Sequence, residues 1–158
     1  MTAEPTAERH PRVRMGKIWK TRRQRAELLA AIQGVEYTIA IPPSDPAWRH
    51  GVAAELGRLR AAFNAHVELT EGPEGLYAEV VGDAPRLANT VSTLHREHAA
   101  VSAMLDTVVD QLERGHFDDD PAKLRAWAAQ LLRDLSQHRQ RGADLVYEAY
   151  ATDIGGEN

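Results

Sequence analysis

The chain has 158 residues, 43% of them hydrophobic and 27% charged, which is one domain's length with enough apolar material for a core. It has no cysteine, which excludes disulfides, thiolate metal sites and iron–sulfur clusters and leaves histidine and carboxylate as the metal-binding side chains. The net charge of −4 is uneven: residues 1–25 carry eight basic side chains against two acidic ones, or +6, leaving −10 for the rest. Residues 1–16 read as a basic, flexible leader; its charge alone is a thin basis for nucleic-acid recognition. The first helical segment spans about 17–41 and carries a stripe of Leu29, Ile32, Glu36 and Ile39. Three prolines between 42 and 46 then forbid continued helix. The second segment, 46–71, repeats Val52, Leu56, Leu59, Phe63, His66 and Thr70 at helical spacing. After a break at 82–85, the third segment runs to 114 through Leu87, Val91, Leu94, His98, Val101, Leu105, Val108 and Leu112. The fourth, 121–150, carries Leu124, Trp127, Leu131, Leu135, His138, Gly142 and Leu145, and residues 151–158 read as a fraying tail. Four amphipathic helices over 17–150 predict an all-α, up-down-up-down four-helix bundle. No stretch approaches the ~20 apolar residues of a membrane span, and the N-terminus lacks the apolar core of a secretory signal. The expected location is cytoplasmic, without membrane contact.

One histidine interrupts the apolar stripe in each of the last three segments. In an antiparallel pair, residues equally far from the connecting turn lie at one height, because both helices rise ~1.5 Å per residue. His66 and His98 each lie about 16 positions from a turn centred at 82/83, and His98 and His138 each about 20 from one centred at 117/118. Three imidazoles are thus expected at one level of the core, where they could bind Fe, Zn, Cu or Ni. On the first helix that level falls near Thr21, with Ile18, Arg22 and Arg25 as inward candidates; Glu36 lies well over ~20 Å away along the axis. Glu71 and His95 also match in height, one turn from the trio, and join the candidate metal ligands. Glu71 is about 140° off the His66 face, so it turns inward only if the break at 72–75 distorts the last turn. His10, His50 and His116 read as surface residues.

The segments His66-Val67-Glu68-Leu69-Thr70-Glu71, Leu94-His95-Arg96-Glu97-His98 and Leu135-Ser136-Gln137-His138 resemble the core motifs of hemerythrin-like domains. That family consists of four-helix bundles holding a non-heme di-iron centre, and its members bind oxygen or sense iron, oxygen or redox state. The resemblance covers about residues 20–150 and implies that His66, His98 and His138 stand at iron-ligand positions. Thr70 stands where the second-helix bridging carboxylate is expected, Gly142 follows His138 where a carboxylate is expected, and Ser102 replaces a second third-helix histidine. The implied site is therefore altered from the di-iron pattern: a three-histidine mononuclear iron site, with Glu71 or water completing it, or a degenerate one.

Three functions follow as expectations. The first is a metal-binding protein of hemerythrin type that binds or senses oxygen, peroxide or iron. The second is a metal-free degenerate bundle serving as an interaction or regulatory module with a protein partner. The third is a small-molecule pocket opened by Gly142 and Thr70 and lined by Trp127 and Tyr147. No phosphate loop, dinucleotide fingerprint or Ser/His/Asp arrangement proposes another catalyst.

Overall fold

The computed structural model describes residues 11–117 and 120–154, with side chains described within 20–117 and 120–151. Four long helices carry the fold: α1 (Pro11–Ala40), α2 (Trp48–Glu71), α4 (Ala88–Glu113) and α5 (Pro121–Ile154). A short helix, α3 (Leu76–Asp83), and one 3-10 turn (Pro85–Leu87) join α2 to α4. No strand occurs among the described residues, and no described helix is long and apolar enough to cross a membrane. α1 begins at Pro11, inside the stretch read as a leader, and α5 reaches Ile154, inside the stretch read as a tail.

The helix ends follow from local chemistry. α4 ends in a Schellman motif: Gly115 adopts φ 75°, the His116 N–H donates to Gln111 O and the Gly115 N–H to Leu112 O. Asp120 then opens α5 by accepting from the Lys123 N–H at 3.1 Å, and Pro121 occupies the first helical position, where its missing N–H costs nothing. At the end of α1, two otherwise orphaned carbonyls, of Ile39 and Ile41, accept from the Arg125 guanidinium, each at 2.9 Å. The Trp48 indole donates to Thr38 O at 3.0 Å.

α1 packs against α2 and α5, α2 against α4, and α4 against α5, so the long helices close a ring. The main core runs through Leu56, Leu59, Phe63, Val101, Leu105, Leu124, Leu131 and Leu135. A smaller cluster forms beyond the end of α2, where Tyr77, Val80, Ala84 and Leu87 meet Val91, Leu94, Leu145 and Ala149. The α2, α4 and α5 stripes are buried as read, apart from half-buried His66, Gly142 and Trp127; beside Trp127, Ala128 takes the fully buried place. The α1 stripe needs correction. Leu28, Ile32 and Val35 are buried, while Leu29 and Glu36 are exposed. Glu36, a charge at a helix surface, had pulled the reading one residue out of phase.

Candidate metal centre

His66 projects from α2, His98 from α4 and His138 from α5, and the three meet where the main core gives way to the smaller cluster. His98 and His138 are each 2% exposed. Their ring nitrogens can supply one donor atom apiece within 4.8 Å of one another, which makes them a group able to hold a metal ion. The His138 Nε2 lies 2.9 Å from His98 Nε2 and 3.3 Å from His66 Nε2. Phe63 forms one wall of this cluster, its ring centroid 5.6–6.1 Å from all three imidazoles.

What lies behind each ring decides its protonation. The Nδ1 of His98 is 2.8 Å from Glu71 Oε1, and that of His138 is 2.8 Å from Glu97 Oε2. A carboxylate only accepts, so both Nδ1 atoms carry the proton. The Nδ1 of His66 is 3.3 Å from Gln24 Oε1. The Gln24 amide cannot turn over without loss, because its Nε2 donates to Ala62 O at 3.0 Å; its oxygen is therefore the atom that faces His66. All three rings are held as Nδ1–H tautomers with their Nε2 lone pairs pointing at one another. These contacts stitch α1 to α2, α2 to α4 and α4 to α5.

Three ring nitrogens so placed could hold a cation between them. Ligand nitrogens at ~2.05 Å from a metal stand about 2.9 Å apart at an octahedral right angle and about 3.3 Å apart at a tetrahedral one. The two observed separations match these edges. The Nδ1–H donations to carboxylate or amide oxygen are the usual way a ligating imidazole is oriented and made more basic.

The surroundings also favour the neutral form of His66 and His98. Burial lowers the His66 pKa, and the neighbouring His98, His138 and Arg25 add to it, bringing the value down to about 3. Burial also lowers His98, more than Glu71 raises it. For Glu97, burial acts upward, but hydrogen bonds from Arg141 and His138 outweigh it and hold the carboxyl below its ordinary range.

Glu71 and His95, read from the sequence as ligands, do not reach the centre. Glu71 ends α2 and sits behind His98, its Oε1 shared between His98 Nδ1 and His95 Nδ1 at 2.8 and 2.9 Å. His95 stands on the outer side of that carboxylate with its side chain 44% exposed. No carboxylate joins the three histidines among the described residues. On α1, Arg22 and Arg25 are exposed and the side chain of Ile18 lies outside the described residues; Gln24, which the sequence reading passed over, is the inward group.

Tyr77 was missed as well. α3 places its ring on His98, stacked at 5.5 Å and 20°, with its hydroxyl 3.2 Å from His98 Nε2. Burial pushes its pKa up; a hydrogen bond with Thr70 offsets part of this, and the Glu71 and Glu97 charges add to it. It is a neutral phenol at physiological pH, able to donate towards the centre. The signal available was the apolar run from Leu76 to Val81 between two breaks, which marks a packed element rather than an open loop.

A cavity of about 230 Å³ opens beside His66 and His138, lined among others by Thr70, Tyr77 and Gly142. Gly142 and Thr70 thus border a cavity as the third sequence reading expected, whereas Trp127 packs against the main core and Tyr147 is 72% exposed. Trp127 and Tyr147 lie on other faces of α5 and line no part of it. Comparison of the chain with protein-family models, with curated proteins and with solved structures finds no match.

Proposed function

We propose that this chain is a hemerythrin-like metal-binding protein, an up-down-up-down bundle whose three histidines hold a single iron ion. One observation carries the reading: His138 Nε2 lies at ligand spacing from the Nε2 atoms of both His98 and His66, while each Nδ1 is tied to an oxygen acceptor. Imidazole suits several divalent metals; iron is favoured by the resemblance of the His66, His98 and His138 segments to the hemerythrin-like pattern. The absence of a carboxylate among the converging groups supports one ion rather than two, since paired cations need anionic bridges between them. Bound iron would supply open coordination positions for oxygen or peroxide. The chain's own residues do the rest: His66, His98 and His138 hold the ion, Glu71, Glu97 and Gln24 orient them, Phe63 excludes water, and Tyr77 donates a hydrogen bond into the centre.

Elemental analysis and absorption spectra of protein expressed in iron-supplemented medium test the proposal. The expected result is one iron per chain in the wild type and none in His98→Ala. Two irons with the bands of a bridged pair would contradict the mononuclear site. No metal in either protein would leave the interaction-module reading standing.

A further inference from the structure

The cavity beside the histidines has a composition of its own. Its walls are apolar at Leu28, Leu69 and Leu76, and its only formally charged lining residues are Arg25 and Arg139. Both arginines are exposed at its rim, and neither has an ion-pair partner among the described residues. No acidic residue lines it. Two guanidinium groups with no ion-pair partner among the described residues, at the mouth of a partly apolar cavity, are a site for a planar anion, which arginine binds through paired N–H donors. Gly142 keeps the space open: a Cβ there would meet nothing within 4 Å. At about 230 Å³ the cavity falls below the ~300 Å³ at which drug-sized pockets begin, which sets the ligand's size.

We propose that this cavity binds a small organic acid, its carboxylate against Arg25 and Arg139, its short apolar body over Leu28, Leu69 and Leu76, and its far end towards His66 and His138. This deepens the proposed function by naming what lies next to the metal, and it rests on that reading for the occupant of the centre. Thr21, Gln24, Thr70 and Tyr77 are the uncharged polar side chains that line the cavity.

Calorimetric titration of the full chain loaded with zinc, a redox-silent ion that three histidines also hold, tests this with butanoate and its uncharged isostere butanamide at fixed ionic strength. Butanoate is expected to bind at least tenfold more tightly than butanamide. Arg25→Ala/Arg139→Ala should weaken butanoate tenfold or more, and Gly142→Leu should abolish its binding, both with one zinc per chain retained. Equal binding of the two probes, or butanoate binding undiminished in either variant, would overturn the proposal and leave the metal centre untouched. If the wild type takes up no zinc, the metal reading fails on its own. Butanoate titrated into the metal-free chain then decides the cavity: charge-dependent binding lost in Gly142→Leu sustains it, and no binding overturns it.

Discussion

At the scale of single residues, the groups behind the imidazoles matter as much as the imidazoles. Gln24 and Glu97 touch no metal position, yet each fixes the tautomer and direction of one ring. Gln24→Ala or Glu97→Ala should therefore retain one metal per chain but weaken its binding by about 10–100-fold, measured by competition with a chromophoric chelator. Glu97→Ala also strips Arg141 of its partner. Acid should act through His66. Its folded-state pKa of about 3 lies below the ordinary 6.5, so between those values the unfolded chain binds more protons, and stability rises with pH. The contribution is present above about 6.5 and is lost as pH falls towards about 3. Glu97, also depressed, adds a loss of the same sign, beginning near its ordinary carboxylate value. Denaturation midpoints of the metal-free protein should fall steadily from pH 7 to pH 4, and His66→Gln should flatten the upper part of that fall. A midpoint that rises on acidification would contradict the tautomer assignment. The histidines were legible because each interrupts an apolar stripe. Their partners were not: Glu97 adjoins His98 in sequence but serves His138 on another helix, and Gln24 is an amide in a segment dominated by arginine.

Among the elements, α3 most changed the picture. Residues 72–84 fall between the second and third predicted segments, and the height argument counted them as continuing the rise of α2. Instead the chain leaves α2 at Gly72, where ψ is 160°, and crosses the bundle end as α3. The three histidines nevertheless meet, because α4 starts with Val91 and Leu94 packed under α3 before it comes level with α2. Periodicity finds a helix's buried face; it does not say where the chain leaves the axis. The same limit explains the α1 stripe, where Leu28 and Leu29 are adjacent and Glu36 offered a false register. Within α5, Gly142 is a helix-interior glycine with open space around its Cβ position. Gly142→Ala should stabilise the protein by about 1 kcal/mol, read as a higher urea midpoint, while narrowing the cavity. Phe63, fully buried against all three rings, behaves oppositely: Phe63→Ala should cost about 3–5 kcal/mol in the same assay.

For the whole molecule, the centre sits between two apolar clusters and draws side chains from all four long helices, with Tyr77 closing it from α3. An ion held there binds the folded chain and not the unfolded one, so it must stabilise the fold. At a free metal concentration 100 times the dissociation constant the gain is about 2.7 kcal/mol. At ~2–4 °C per kcal/mol for a chain of this size, Tm should rise by about 5–10 °C on metal loading, and His138→Ala should abolish the rise. The all-helical class with four long helices was legible from four amphipathic segments and the breaks between them, since helical spacing records burial directly. The shape of the centre required the tertiary contacts, because no sequence spacing says which nitrogen of a histidine faces inward. X-ray absorption fine structure of the metal-loaded protein tests the central claim most directly. The account predicts imidazole nitrogen scattering at ~2.0–2.1 Å from the metal, from three rings, and no metal neighbour. A second metal at the ~3.5–4 Å of two-metal sites, or a shell of oxygen without imidazole, would contradict it.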